Sequence, residues 1–499
     1  GAQTIADVTA VSILWNYRDI QLSIEINVGG QRLQVLPDTG SYALVLTSER
    51  CSGSQCPRRA FKPAQSPFYH SLPFRKILAY GNGNLSLEEA NDEFGLHGLG
   101  IGRQRLDFWE ITGVDQQMRA LWSQADYDGL LGLPPRPWLD IEADVAAKSD
   151  VIDGGVATTS LLDRFGVNYF MICLGRAGSW RVRVPSGNVL EMIPFMGVQG
   201  TQSLICWNKP CGAAVRPGAV SYLDILGNQS WVVGLRGVAL QRQQQQQQQQ
   251  QLGTNQVVEL SNLCMGPAER AGCAALVDTG TSTLQAPPAH LQALLREIGQ
   301  VDSDCGNFDV LPNLRLHLGV GQRTVEVILP PRAYVRRLRH RVVPSPGQQG
   351  RGAVPGAASD DADNDLCLLR LAENRAVEGD VPVWVLGVPF LQEYACEFIR
   401  AGGAASPQKA LLGIAPHNTV CPSDESVDAS PGEPGAISEQ SKRPLRLRSN
   451  GSRSSSKDLI AVEEHHVIAD AAAHALTAAF TAGLAPVDAR EVLPISNVV

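Results

Sequence analysis

Two aspartates stand in almost the same local sequence at distant points of the chain. Asp38 lies in LPDTGSYALVL, and Asp278, 240 residues later, lies in ALVDTGTSTLQ. Apolar runs typical of buried strands flank both aspartates, and burying an ionised carboxylate is costly unless the group is paired or hydrogen-bonded. Two carboxylates held close together share one proton, and such a pair supplies a general base and a general acid at once. The pattern therefore predicts acid–base chemistry by a carboxylate pair.

The residues that follow each aspartate fit this chemistry. They are Thr39, Gly40 and Ser41 in the first copy, and Thr279, Gly280 and Thr281 in the second. The glycines permit a tight turn, and we expect the two Asp-Thr-Gly threonines to hydrogen-bond within their own loops. The next hydroxyls, of Ser41 and Thr281, are expected to donate to the outer carboxylate oxygens. One Asp-Thr-Gly alone would be read as an ordinary polar turn, so the prediction depends on the pair.

Short strands must position these loops. The stretch IQLSIEINVGGQRLQVL alternates apolar and polar residues around Gly-Gly, which predicts a hairpin leading into the first aspartate. Similar patterns recur in YFMICLGR, SWRVRVPSGNVLEMI, SWVVGLRGVAL, LRLHLGVGQRTVEVILP and WVLGVPFL. Helical signals are short and lie near TTSLLDRF and PPAHLQALLREIG. The chain is therefore expected to be mainly β.

Composition and length indicate a two-lobed globular protein with appendages. Of its 499 residues, 44% are hydrophobic and 18% are charged, which is typical of a globular protein. The chain is longer than a domain with a single hydrophobic core usually is. We expect lobes over residues 1–190 and 191–420, a disordered linker over 421–458 and a helical tail over 459–499. The formal net charge of −8 argues against a nucleic-acid partner.

Three segments carry a different composition. The glutamine run Gln243–Gln251 is expected to be a disordered hairpin tip, and the stretch from about Arg336 to Asp365 a solvated loop. The alanine-rich stretch Val467–Val487 is the best membrane-span candidate, but Asp470 and His474 interrupt it. Membrane association of the tail is therefore not expected, although it stays open as an alternative.

Eleven cysteines favour an oxidising compartment. Short spacings predict disulfides within three pairs, which are Cys51 with Cys56, Cys206 with Cys211, and Cys264 with Cys273. Zinc is disfavoured because no Cys-x-x-Cys knuckle or histidine pair at ligand spacing accompanies them. The odd number leaves at least one thiol outside an intramolecular pair. The sequence starts at Gly1 without an initiator methionine, so a signal peptide or pro-segment is expected to be removed or to precede it.

Several ordered motifs resemble those of the pepsin-like aspartic proteases. They are YDGLLGL (Tyr127–Leu133), WVLGVPFL (Trp384–Leu391), LPNLRLHLG followed by ILPPRAYV, and LLGIAP (Leu411–Pro416). The resemblance spans about Trp15 to Pro416. It implies a bilobal fold with one Asp-Thr-Gly loop per lobe, and strands of YDGLLGL and WVLGVPFL that thread behind Asp38 and Asp278.

The resemblance also implies further residues of the site. A flap hairpin would close over an extended peptide, with Tyr80 near its tip in ILAYGNGNLSL, Gly81 in the turn, and Leu130 beside the substrate. It implies the disulfides Cys51–Cys56, Cys264–Cys273 and Cys305–Cys367. We therefore expect a monomer without metal or cofactor that cleaves peptides or proteins at acidic pH. Its expected location is the secretory pathway (secreted, vacuolar or lysosomal).

Some residues depart from the family pattern. Pro37 replaces a bulky apolar residue, Val45 a tryptophan that supports the flap tyrosine, and Val388 an aspartate; Asn84-Leu85-Ser86 forms a glycosylation sequon at the flap. These departures keep one alternative open, a catalytically weak or inactive protease-like module that binds peptides or proteins. A trafficking or membrane role carried by the tail is a second alternative.

Overall fold

The computed structural model describes a mainly β protein. It covers residues 10–51, 56, 60–80, 83–96, 99, 102–116, 127–137, 161–183, 189–194, 200–212, 218–227, 229–242, 256–260, 263–264, 272–343, 364–375, 377–378, 381–402, 409–417 and 421. The glutamine run, most of the predicted linker and the whole predicted tail lie outside these residues. Among the described residues, no helix is both long enough and apolar enough to cross a membrane.

Thirteen of the described strands lie before residue 225. They are β1 (Ala10–Tyr17), β2 (Gln21–Val28), β3 (Gln31–Asp38), β4 (Leu44–Thr47), β5 (His70–Tyr80), β6 (Gly83–Leu96), β7 (Gln104–Val114), β8 (Gly129–Gly132), β9 (Tyr169–Cys173), β10 (Trp180–Arg183), β11 (Val189–Pro194), β12 (Ser203–Trp207) and β13 (Ser221–Asp224).

The other thirteen described strands follow residue 231. They are β14 (Val232–Arg242), β15 (Gln256–Glu259), β16 (Cys273–Val277), β17 (Leu284–Ala286), β18 (Asn313–Val320), β19 (Arg323–Leu329), β20 (Val335–Val343), β21 (Asn364–Leu369), β22 (Leu371–Glu373), β23 (Val377–Glu378), β24 (Val381–Leu386), β25 (Tyr394–Ile399) and β26 (Leu411–Pro416).

Helices are short, as the sequence predicted. The α-helices are α1 (Leu161–Arg164), α2 (Pro288–Ile298), α3 (Pro331–Tyr334) and α4 (Val388–Leu391), and 3₁₀ turns cover Pro63–Gln65 and Phe308–Val310. Both predicted helical segments are confirmed, by α1 and α2. In α2, prolines open the first turn, and Leu291, Leu294 and Ile298 form the buried face.

A long sheet runs through the molecule in the order β13-β26-β25-β9-β12-β1-β2-β3-β8-β4-β7-β6-β5. Its first six strands, the central sheet, combine strands from near both ends of the described chain. A second sheet has the order β19-β18-β14-β16-β24-β17-β22, with β15 beside β14 and β23 beside β24, and β10-β11-β20-β21 form a smaller sheet. Alternation sets which face is buried: in β2 every second residue from Leu22 to Val28 is buried, as predicted for the hairpin into Asp38.

Buried aromatic residues join the two halves of the chain. Phe170 stacks on Phe398 with ring centres 4.7 Å apart, and the Trp231 ring meets Phe398 edge-on at 4.9 Å. The Trp231 indole N–H also donates to the carbonyl of Leu133 at 2.6 Å. Arg400 is fully buried there, and its guanidinium donates to carbonyl oxygens and to Asp163. The fully satisfied cation suits this interior position.

One predicted loop is wrong in its first part. The arginine-rich residues from Arg336 onward belong to strand β20, which pairs with β11 and with β21. The strand forms because alternate side chains pack inward: Leu338 is buried, and His340 nearly so. The remainder, residues 344–363, lies outside the described part. The lobe boundaries stay predictions, and β11 runs across the expected boundary at residues 190 and 191.

The predicted disulfides are confirmed. Cys51–Cys56, Cys206–Cys211, Cys264–Cys273 and Cys305–Cys367 are bonded. A fifth bond, Cys173–Cys421, ties β9 to the end of the described chain. Cys396, buried in β25, is the one cysteine outside a disulfide, which agrees with the predicted odd thiol.

Candidate active site

The same strand arrangement holds both aspartates. Strand β3 ends at Asp38 with β8 parallel to it, and β16 ends one residue before Asp278 with β24 parallel to it. Backbone hydrogen bonds fix each aspartate to the neighbouring segment: Leu133 N donates to the Asp38 carbonyl at 2.8 Å, and Asp278 N to the Leu386 carbonyl at 3.1 Å. YDGLLGL and WVLGVPFL therefore lie behind the two aspartates, as the resemblance implied.

A glycine in each of these motifs lets its strand pass close to the loop that follows the aspartate. A Cβ atom on Gly132 would lie 2.4 Å from the carbonyl carbon of Tyr42, and one on Gly387 2.2 Å from the carbonyl oxygen of Thr281. These distances exclude any side chain, so both positions require glycine. The same close approach occurs behind both aspartates, so the backbone around Asp38 resembles the backbone around Asp278.

The two Asp-Thr-Gly loops are joined by their threonines. The backbone N–H of Thr39 donates to the Thr279 hydroxyl at 3.0 Å, and that of Thr279 donates to the Thr39 hydroxyl at 3.0 Å. The Thr39 hydroxyl donates to the Val277 carbonyl at 2.7 Å, and the Thr279 hydroxyl to the Pro37 carbonyl at 2.5 Å. Each hydroxyl is therefore both donor and acceptor across the junction.

This arrangement corrects the expectation that each threonine bonds within its own loop. The hydroxyls of Thr39 and Thr279 reach the opposite loop because the two loops approach each other tip to tip. Both threonines are buried, so the four hydrogen bonds replace water that neither hydroxyl can reach. Sequence offered no signal for this pairing, since it joins groups on opposite sides of a fold.

The carboxylates lie in the junction made by these bonds. Gly40 N donates to Asp38 Oδ1 at 2.9 Å, and Gly280 N donates to Asp278 Oδ1 at 2.7 Å. A Cβ on Gly40 would lie 2.9 Å from Asp278 Oδ1, and one on Gly280 2.7 Å from Asp38 Oδ1. Each glycine therefore faces the carboxylate of the other loop, and a larger residue would push the pair apart.

The electrostatics of the pair favour one shared proton. Both carboxyls are buried. Burial raises the pKa of Asp38 well above its ordinary value, and the negative charge of Asp278 and a hydrogen bond between the two side chains raise it further. Ser41 and the Gly40 N–H oppose this rise in the pKa. The two carboxyls are therefore expected to titrate as a pair that holds one proton between them.

The hydroxyls after the triplets differ from each other. The Thr281 hydroxyl donates to Asp278 Oδ2 at 2.5 Å, as predicted. Ser41 is close enough to lower the pKa of Asp38, yet its buried hydroxyl oxygen meets no partner at hydrogen-bond geometry among the described residues. Asp278 thus has two fixed donors, from Gly280 and Thr281, while Asp38 has one.

The hairpin predicted to be the flap contributes to an apolar cluster that includes Leu36, two residues before Asp38. Strands β5 and β6 form the hairpin, and Tyr80 pairs with Gly83 at its end. The side chain of Tyr80 and all of Gly81 lie outside the described part, so their roles stay predictions. The flap cluster, defined here, comprises Leu36, Ala43, Val45, Leu85, Leu87, Trp109, Ile111, Tyr127 and Leu130, with Phe74 and Leu78 packed against it.

Two members of the flap cluster carry information that sequence reasoning missed. Trp109 lies directly opposite Val45 in the parallel pair of β4 and β7, so an indole stands beside the position where the family carries its tryptophan. The Lys76 ammonium lies 3.8 Å from the centre of the Trp109 ring. Burial, and then the charge of Asp38, raise the pKa of Tyr127 above its ordinary value.

The departures at Pro37 and Val388 fit their surroundings. The pairing of β2 with β3 ends at Val35, so the missing N–H of Pro37 leaves no gap in that ladder. Val388 is fully buried at the start of α4, where its backbone N–H donates to the Thr281 carbonyl at 2.8 Å. An aspartate side chain is therefore not needed to hold this turn to the second loop.

The described residues contain two clusters with metal-ligating atoms. One joins Cys173, His417 and Cys421, and the other joins Cys264, Cys273 and His290. In both, the two cysteines form a disulfide. A disulfide sulfur is not a thiolate, so neither cluster offers the ligands that a metal would need.

Comparison with known proteins agrees with this geometry. A family model described as eukaryotic aspartyl protease matches residues 21–152. Over most of its length the chain is similar to pepsin-like aspartic proteases. It is 23% identical to gastricsin of Macaca fuscata fuscata over 76% of this chain and 81% of that protein. It is also 22% identical to pepsin-2B of Gadus morhua (74% and 90%) and 23% identical to cathepsin E of Mus musculus (81% and 82%).

Proposed function

We propose that the protein is an aspartic endopeptidase that works at acidic pH. The observation that carries the proposal is the junction of the two loops, in which four threonine hydrogen bonds hold two buried carboxyls against each other. Burying two carboxyls side by side carries a large desolvation penalty, and such an arrangement is expected where the shared proton takes part in catalysis. Similarity to gastricsin, pepsin-2B and cathepsin E supports the same reaction class.

The proposed mechanism assigns different roles to the two carboxyls. Asp278, which holds two donors on its oxygens, is the base that takes a proton from water as the water oxygen attacks the scissile carbonyl carbon. Asp38 gives its proton to the carbonyl oxygen. When the tetrahedral intermediate collapses, the C–N bond breaks, the proton on Asp278 passes to the leaving nitrogen, and Asp38 takes a proton from a hydroxyl of the intermediate as the new carboxyl group forms. The pair ends with one proton, as it began.

The flap cluster supports a preference for apolar side chains next to the cleaved bond. Leu36 and Leu130 stand beside the first aspartate, and Phe74 and Leu78 project from the flap strand. An apolar side chain of the substrate would bury its surface here. We propose Leu130, with Tyr80 and Gly81 of the flap, as substrate contacts.

We also propose that the protein acts as a monomer in the secretory pathway. Five disulfides support an oxidising compartment, since cytosolic thiols are kept reduced.

The deciding experiment is cleavage of a denatured protein between about pH 3 and 7, with and without pepstatin. We expect cleavage that peaks at acidic pH and that the inhibitor abolishes. Tight pepstatin binding without cleavage at any pH would instead identify the peptide-binding module. Cleavage that pepstatin leaves unchanged would contradict the carboxylate mechanism.

A further inference from the structure

A second concave site lies away from the carboxylate pair, between the turn that joins β1 to β2 and the strand β20. Its cavity volume is about 40 Å³. Arginines dominate its lining; the charged residues there are Arg176, Arg332, Arg336, Arg337, Arg370 and Asp19. Such a concentration of one charge in a concave site focuses a positive potential.

The ion pairs around this arginine pocket leave two of its cations without a carboxylate. Glu393 pairs with Arg176 at 2.5 Å and with Arg332 at 2.7 Å. Asp365 pairs with the guanidinium of Arg337 at 2.5 Å. No carboxylate of the described residues forms an ion pair with Arg336 or Arg370.

Neutral groups hold these two guanidiniums instead. Arg336 donates to the Arg18 carbonyl and lies 4.8 Å from the centre of the Trp180 ring. Arg370 donates to the carbonyls of Asp19 and Ser282, both at 2.9 Å, and to the Gln392 amide oxygen at 3.2 Å. Carbonyls and a ring face orient a cation without cancelling its charge, so the pocket keeps a surplus of positive charge.

Asp19, the carboxylate that lines this pocket, accepts hydrogen bonds from other groups and lies in a turn with an unfavourable backbone conformation. Its Oδ1 atom accepts from Asn16 Nδ2 at 2.8 Å, from Ala177 N at 2.7 Å and from Gln392 Nε2 at 2.7 Å. Arg18 and Asp19 both have φ of 55°, the left-handed region that normally selects glycine or asparagine in such a two-residue turn. Strained non-glycine turns of this kind cluster at binding sites.

The pKa values of the two arginines agree with an unmet charge. Burial lowers the pKa of Arg336 to about 10; the charge of Asp19 opposes this decrease, and that of Arg18 adds to it. Burial and then the charge of Arg336 lower the pKa of Arg370 to about 9, with Asp19 opposing the decrease and Arg176 adding to it. Both remain cations at neutral pH, and a bound anion would raise both pKa values again.

We propose that the arginine pocket binds a dianionic oxyanion of the size of phosphate, with Arg336 and Arg370 as its principal ligands. The fork of donors on a guanidinium suits phosphate oxygens, and two arginines facing one pocket can neutralise both charges. Arg370 also donates to the carbonyl of Ser282, four residues after Asp278, so the same side chain contacts the anion and the second active-site loop. The proposal is independent of catalysis.

The test uses the full chain at about pH 7.5, where phosphate is largely dianionic. Thermal unfolding is followed in about 10 mM sodium phosphate and in sodium chloride of equal ionic strength, because a ligand that binds only the folded state raises the unfolding temperature. Calorimetric titration with phosphate gives the dissociation constant. We expect phosphate to raise the unfolding temperature by several degrees and acetate, a monoanion, to raise it much less.

Two variants and a control localise the effect. Arg336→Gln should weaken phosphate binding at least about tenfold. Arg323→Gln changes an exposed arginine of β19 that pairs with Asp224 outside the pocket, and it should bind as the natural chain does. Asp19→Asn removes the competing carboxylate, keeps an oxygen acceptor and suits the left-handed turn, so it should bind phosphate more tightly.

The outcomes divide cleanly. Failure of phosphate to stabilise the natural chain, or equal binding by Arg336→Gln, overturns the proposal. If Arg336→Gln does not fold, Asp19→Asn decides, because only an anion in this pocket would gain affinity from losing that charge. Peptide cleavage does not enter any of these measurements, so an inactive protein would leave them interpretable.

Discussion

Asp38 and Asp278 should be equally necessary although their surroundings differ. Replacing either with asparagine keeps the shape of the side chain but removes the ability to exchange a proton. We expect Asp38→Asn and Asp278→Asn each to reduce peptide cleavage to background at every pH. Circular dichroism should show both variants folded, and a folded Asp278→Asn that cleaves at a comparable rate would remove the pair from the mechanism.

The raised pKa of the buried Asp38 carboxyl also predicts how stability depends on pH. Its pKa in the folded chain is raised above the value of about 3.9 in an unfolded chain, so the folded state binds the proton more tightly. This contribution is fully present below about pH 4 and is lost as the pH rises through the raised pKa. As pH rises, the unfolding temperature of Asp38→Asn should therefore increase relative to that of the natural chain.

Calorimetry from about pH 3.5 to 8 would measure this difference. Asp309→Asn, which changes an exposed aspartate, is the matched control. A constant difference between Asp38→Asn and the natural chain across this range would show that the carboxyl titrates normally.

The threonine junction makes a third prediction at the same scale. Thr279→Val removes a buried hydroxyl and leaves the Thr39 N–H and the Pro37 carbonyl without partners, which should cost about 1–3 kcal/mol of unfolding free energy. Turnover should fall as well, because the two loops lose their register. Urea unfolding measures the first effect and a cleavage assay the second. Thr324→Val, at an exposed position of β19, should leave both unchanged.

Among the elements, the flap hairpin is the one expected to move. Tyr80→Ala should lower turnover and leave the unfolding temperature nearly unchanged, because we assign Tyr80 the role of positioning substrate when the flap closes. Phe68→Ala, which removes an exposed aromatic ring just before β5, is the control for loss of apolar surface. Equal turnover of Tyr80→Ala and the natural chain would exclude this residue from the site.

Elements were predictable from sequence where local patterns decide them. Alternation gave the hairpin of β2 and β3, and the prolines before Ala289 marked the start of α2. Strand β20 was misread as a loop because its arginines looked solvated, whereas Arg336 is held by a carbonyl and a tryptophan ring from distant parts of the chain. Amino-acid composition shows that a side chain is charged, but tertiary contacts decide whether that side chain is exposed to solvent or buried.

The candidate site divides in the same way. Asp38, Asp278 and their glycines followed from a repeated motif, since the chemistry fixes the residue types. The crossing of Thr39 and Thr279 did not follow, because the hydroxyls could equally have closed their own turns. The position of Trp109 opposite Val45 depends on the parallel register of β4 and β7, which no local pattern specifies.

For the whole molecule, the Cys173–Cys421 bond should matter most among the disulfides. It spans 248 residues, whereas Cys51–Cys56 spans 5, and closing a longer loop restricts the unfolded chain more. Replacing Cys173 and Cys421 together with alanine should cost about 2–5 kcal/mol in denaturant unfolding. The matching change of Cys51 and Cys56 should cost less. An equal or smaller loss from the longer loop would contradict the entropic argument.

The central sheet also has a consequence for the order of biosynthesis. A ribosome releases β1 first, but β9 gains its neighbour β25 only after residue 394 has been made. During translation β9 therefore presents an unpaired edge, and a nascent chain cannot complete its fold as it emerges. A premature stop codon before Tyr394 would leave that edge open permanently and would produce a chain prone to pair with copies of itself.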